Sequence, residues 1–153
     1  MFLTVHASVG ALLGDKLGNE VLAFGAGFAS HFVFDIIPHG DEKIGEIFLK
    51  SKRHWPLALL FVIDFAVAVT LVAGMGLLGV FNNPISALSG ALAATLPDIL
   101  SGFSEITKKF LWPGFCRFHR RNHQLLNSPV SVIAGAVIQF LTFAVVWSLI
   151  IWQ

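Results

Sequence analysis

Charge is what this chain has least of: Asp, Glu, Lys and Arg make up 12% of its 153 residues, against 56% hydrophobic residues. A soluble domain carries roughly 25% charged residues, so the shortage excludes an ordinary water-facing surface. The mean hydropathy of +0.78 comes from long apolar runs, and the chain reads as an integral membrane protein. Cysteine is nearly absent. Cys116 alone excludes an intrachain disulfide and any cysteine-based zinc cluster. No basic run is interleaved with aromatics in a polar stretch, and the net charge is only +1, so nucleic acid is not an expected partner. The N-terminus lacks a positive n-region and an A-x-A site and is not read as a removable signal peptide. No internal repeat stands out, and continuity argues for one helical domain over residues 1–153.

What is present is a series of apolar segments separated by two polar ones. Residues 2–14 form a short helix with His6 near its start, too short at 1.5 Å per residue to cross the ~30 Å hydrocarbon core untilted. It crosses at a tilt or is re-entrant. Gly10, Gly14 and Gly18 repeat every four residues along it, a stripe that permits close helix contact. Residues 21–38 form a second helix ending at Pro38. Residues 39–55 leave the bilayer, and 46–54 mix apolar and basic side chains as an interfacial segment does. A third helix opens at Pro56 and runs to about Phe81. Asn83 and Pro84 cap and start a fourth, 84–103, rich in Gly, Ala and Ser and therefore central, with Pro97 kinking it before Asp98. Residues 104–128 form a second polar loop. Ser128 and Pro129 open a last, lipid-facing helix over 129–152. The expected fold class is all-α: a polytopic transmembrane bundle of four to five helices.

Nine of the ten basic residues fall in the two polar stretches: Lys43, Lys50, Lys52, Arg53, Lys108, Lys109, Arg117, Arg120 and Arg121. Only Lys16 lies opposite. The positive-inside rule makes the basic side cytoplasmic in a bacterial-type inner membrane. Trp55 and Trp112 then sit at the cytoplasmic boundary, Trp147 and Trp152 near the other, as aromatic belts do.

On that topology the ionisable residues gather at one end. The stretch SHFVFDIIPHGDE places His31, Asp35, His39 and Asp41 at the end of the second helix. His31 and Asp35, four apart, project from one helix face. His6 lies at the same end of the first helix, Asp98 toward that end of the fourth, and His119 and His123 in the second polar loop. Loops hold polar residues cheaply. His6, His31, Asp35 and Asp98 lie within apolar helices, where ionisable groups need a partner or a function. His and Asp without thiolates suit zinc, or manganese or ferrous iron, and the number of ligands admits two ions. The alternative for each pair is a hydrogen bond between two buried polar groups. Arg120 and Arg121 beside the histidines are candidates to hold a phosphate, or serve as positive-inside anchors. Asp64 reads as a partner for another helix, and Asp15, Glu20, Glu46 and Glu105 as solvated ends.

These motifs resemble those of the YdjM-like inner-membrane proteins, described as membrane-bound metal-dependent hydrolases. His6 with VGALLG is similar to that family's N-terminal His and small-residue helix. GFASHFVFDIIP, with His31 and Asp35, is similar to its GxxSHxxxDxxxP motif. LPD with Asp98 resembles the start of LPDxDH, and FHRRNH with His119 and His123 resembles HRGxTHS. Here SHxxxD precedes LPD, LPDILSG keeps one of the two Asp residues, and the loop histidines are four apart rather than five. The resemblance implies a divalent metal, zinc first, and hydrolysis of a lipid-linked or phosphoester substrate at the cytoplasmic interface. The competing classes are a non-catalytic membrane scaffold or metal-binding protein and, last, an ion transporter. Transporters hold their ligands near the midplane on broken helices, often with inverted repeats; here the ligands gather at one end.

Reporter fusions test the topology. A fusion at Gln153 should report the outside and one near Lys50 the cytoplasm; both on one side would remove the basis for convergence.

Overall fold

The computed structural model describes residues 1–40, 55–107, 113–126 and 130–152. Among these the chain is all-α: α1 (Leu3–Leu17), α2 (Glu20–Asp35), α3 (Trp55–Leu77), α4 (Pro84–Thr107), α5 (Pro113–His123) and α6 (Val132–Ile151). Asp41, the 46–54 segment, Ser128 and Pro129 lie outside the described residues. α3, residues 84–104 of α4, and α6 are long and apolar enough to cross a membrane. α1 and α2, at 15 and 16 residues, are each only about 22–24 Å long.

Local chemistry turns α1 back into α2. Gly18 takes the left-handed conformation (φ 60°) and its N–H closes on the Gly14 carbonyl. Asn19 then caps α2, its side chain accepting from the amides of Val21 and Leu22. Gly18 is thus a turn residue rather than a member of the packing stripe. The hairpin brings the start of α1 and the end of α2 to the same end of the bundle.

α4 fits between the two arms because glycine lets backbones touch. A Cβ on Gly10 of α1 or on Gly27 of α2 would strike the carbonyl of Gly90, and one on Gly14 would strike that of Ser86. Ala11, Ala23, Ala87, Ala93 and Ala94 complete the contact, all fully buried. α3 and α6 lie outside this trio. Of its apolar stretch α3 buries 11% against 44% for α4, which marks α3 as peripheral. Val146, Trp147 and Ile150 of α6 join Ala68 and Val72 of α3 in a core around Ala7, Val9 and Phe81.

Boundaries differ from expectation: α1 runs on to Leu17, α2 ends at Asp35 ahead of Pro38, and α4 extends to Thr107 into the second polar stretch. α3 ends at Leu77, not Phe81, because Gly79 (φ 73°) closes a paired cap: its N–H bonds Gly76 O, and that of Val80 bonds Met75 O. α6 starts after Ser131, whose hydroxyl accepts from Ala134 N. The second polar loop contains α5, started by Pro113 and basic in its last turn, where cations complement the helix dipole. Asp15 also departs from its reading as a solvated end. It is buried (2% exposed), accepts from Asn83 N at 2.5 Å, and its carbonyl accepts from Asn83 Nδ2 at 2.9 Å. It ties the α1–α2 turn to the start of α4.

The packing makes a graded prediction. Gly90→Leu should lose at least ~3 kcal/mol, since backbone rather than a movable side chain blocks the space, and Ala94→Leu should also destabilise. Val67→Leu on the outer face of α3 should be nearly silent. Thermal unfolding in detergent reads the difference, and equal tolerance at these positions would contradict the packing.

Candidate metal centre

Where the hairpin ends meet α4 and α5, ionisable groups from four segments come together: His6 of α1, His31 and Asp35 of α2 with His39 just beyond, Asp98 of α4, and His119 and His123 of α5. Asp35 is the hub and is wholly buried. Its Oδ2 lies 2.9 Å from His31 Nε2, 3.0 Å from His123 Nε2 and 3.4 Å from His119 Nε2. None of the three has the full alignment of an N–H···O hydrogen bond to Oδ2. The ring nitrogens instead face one another: His31 Nε2 is 2.9 Å and His123 Nε2 3.3 Å from His119 Nε2.

The outer ring nitrogens explain which atoms face inward. His31 Nδ1 lies 2.8 Å from the Ala94 carbonyl, in the turn that Pro97 interrupts. A carbonyl only accepts, so Nδ1 carries a proton and Nε2 is the atom turned inward. His39 is fixed in the same way by the Ile37 carbonyl at 2.7 Å. His119 Nδ1 is held by the Ser101 hydroxyl at 2.8 Å, and Asn122 pins α5 by donating to Phe32 O at 2.8 Å. Imidazoles oriented through one nitrogen with the other aimed at a common point are the arrangement of metal ligands.

Two groups of ligand atoms lie within 4.8 Å of one another: His31, Asp35, Asp98 and His119, and Asp35, His39 and His123. The donor set, imidazole and carboxylate without thiolate, fits a divalent ion. His6 stands beside both groups, 3.0 Å from Asp35 Oδ1 with its ring 4.2 Å from that of His31. The α-amine of Met1 donates to Asp35 Oδ1 at 2.8 Å and lies 2.8 Å from His39 Nε2. Asp98, 19% exposed, is the most open carboxylate of the set. Burial opposes the charged form of His119, but the Asp35 and Asp98 carboxylates, each 3.4 Å away, outweigh it and push its pKa up to about 9.

Of the residues expected at a site, His6, His31, Asp35, His39, Asp98, His119 and His123 are brought together. Asp41 lies outside the described residues. Arg120 and Arg121 are exposed on α5, on the helix that carries both loop histidines. Asp64 is the partner for another helix that its isolation implied. It caps α1, accepting from Leu3 N at 2.6 Å, Thr4 N at 3.1 Å and the Thr4 hydroxyl at 2.5 Å. Gln139, Ser101 and Asn122 escaped sequence reasoning. Gln139 is the signal that could have been read: a polar side chain in an apolar helix. It accepts from Phe2 N at 2.7 Å and donates to the His39 carbonyl at 3.0 Å.

Asp35→Asn keeps the shape and removes the charge. Metal content of detergent-purified protein should fall by more than the ~10–100-fold that outer partners typically cost, and a chelator should reproduce the variant's stability loss on the wild type. An unchanged metal content would mean a hydrogen-bonded pair, worth about 1–3 kcal/mol. Because His119 is protonated below about pH 9, a divalent ion arriving at pH 7 must displace that proton. Affinity should therefore rise with pH toward 9, and calorimetry in buffers of different ionisation enthalpy should register proton release.

No family model, no curated protein and no solved structure matches the chain, so the reading of the site rests on its own atoms.

Proposed function

We propose that the chain is a membrane-embedded, metal-dependent hydrolase of the kind the YdjM-like motifs imply, with zinc the first candidate ion. Its site lies at the cytoplasmic interface, and its substrate is a lipid-linked molecule or another phosphoester. The carrying observation is Asp35 Oδ2: a buried carboxylate oxygen with three imidazole nitrogens 2.9–3.4 Å away. That is a donor set, and hydrolysis is the chemistry such a set serves. A bound divalent ion supplies a water of lowered pKa and stabilises charge on a phosphoryl or acyl oxygen.

The remaining work falls to the chain. His31, Asp35, Asp98 and His119 would hold the ion, with Ala94 O and Ser101 fixing the rings of His31 and His119. Asp98, at the open edge, is placed to orient a water or take its proton. Exposed Arg117, Arg120 and Arg121 put positive charge beside the histidines, which favours an anionic substrate. Phe118, also exposed on α5, gives that helix an apolar flank suited to headgroup depth. α1 and α2 join α3, α4 and α6 as tilted or partly inserted helices, which gives four to five crossings. A scaffold that binds metal without turnover is the second reading, favoured by the satisfied contacts of the Met1 amine and His6 with Asp35.

Metal-loaded protein in mixed micelles should hydrolyse phospholipid or lipid-phosphate substrates. Asp98→Asn should cut kcat by ~100-fold or more, and Arg120→Ala with Arg121→Ala should act mainly on KM. Metal retained without turnover on any lipid phosphoester would leave the scaffold reading in its place.

A further inference from the structure

The two ligand groups share one residue, Asp35. Asp35 Oδ2 faces His31, His119 and His123 at 2.9–3.4 Å. Oδ1 faces the other way, 2.8 Å from the Met1 amine and 4.0 Å from His39 Nε2. We infer that the cluster holds a pair of divalent cations bridged by Asp35, one among His31, Asp35, Asp98 and His119 and the other among Asp35, His39 and His123. The inference rests on the metal-binding part of the proposed function and adds how many ions there are and which residue joins them.

Two observations carry it. The ligand atoms within each group lie within 4.8 Å of one another and the groups overlap only at Asp35, so a single ion cannot use them all. Finally, His123 is half-buried (17% exposed), and its Nδ1 atom is shielded from solvent and unpartnered while its Nε2 stands 3.0 Å from Asp35 Oδ2. A solvent-shielded ring nitrogen without a hydrogen bond is costly unless the other nitrogen meets a strong partner.

Charge sets the substrate class. Two dications against Asp35 and Asp98 leave a net excess of positive charge in a buried place, which an anion must offset. A phosphate ester satisfies this better than a neutral carboxylic ester, because paired ions can clamp the attacking and leaving oxygens of a phosphoryl centre. Exposed Arg120 and Arg121 on the neighbouring helix extend the same preference outward.

The test is stoichiometry with a magnetic readout. Full-length protein in detergent is stripped with chelator, reloaded with Mn(II), freed of unbound metal and analysed by element and by electron paramagnetic resonance. Two ions per chain with the spectrum of a coupled pair are expected. His123→Ala should retain one ion with an isolated-ion spectrum, and Asp35→Asn should lose both. One ion in the wild type with an isolated-ion spectrum, unchanged by His123→Ala, overturns the pair and leaves a single-metal hydrolase standing. No ion in the wild type overturns both. If His123→Ala does not fold, judged by circular dichroism and gel filtration, the wild-type count and spectrum still decide.

Discussion

Asp35 is the constraint on which the rest depends. A carboxylate with no solvent contact carries a desolvation penalty of several kcal/mol and persists only where compensating charge and dipoles are brought to it. The chain brings them from four directions: the Met1 amine and His6 on Oδ1, and His31, His119 and His123 around Oδ2. These groups come from the chain start, α1, α2 and α5. Asp35 is therefore both a cost to the fold and the reason its ends must meet.

Meeting requires close helix approach, and glycine supplies it. Gly10, Gly27 and Gly90 bring the backbones of α1, α2 and α4 into direct contact. In lipid no hydrophobic force draws apolar helices together, so such packing carries much of the association. The same contact aligns the Ala94 carbonyl with His31. The stripe of small residues and the orientation of a ligand ring are consequences of one packing arrangement.

Polar residues in the outer helices finish the positioning. Asp64 of α3 satisfies the exposed amides at the start of α1, a helix end that lipid would leave unpaired. Gln139 of α6 links Phe2 to the His39 carbonyl, holding the chain start beside the segment that carries His39. Gly135 lets that segment lie directly on α6, since a Cβ there would strike His39 O. The peripheral helices thus contribute no ligand among the described residues, yet they hold the start of α1 beside the site and the segment that carries His39.

Composition and periodicity by themselves determined the class, the apolar segments, the centrality of α4 and the convergence of His6, His31, Asp35, His39, Asp98, His119 and His123 on one end. These follow from local rules: apolar length sets the segments, small residues mark close contacts, and an ionisable group in an apolar helix advertises a partner. Asp15 misled because a carboxylate beside Lys16 at a helix end looks the same in sequence whether it meets water or Asn83 N. α5 was hidden because its ring contacts with Phe32 and the Asn122 bond to α2 come from a distant part of the chain. The division of the ligands into two groups joined at Asp35, the tautomers set by Ala94 and Ile37, and the capping role of Asp64 were decided only by the tertiary structure. Apart from the Ile37 contact, which is local, each depends on distances between residues far apart in sequence, which the spacing along one helix cannot encode.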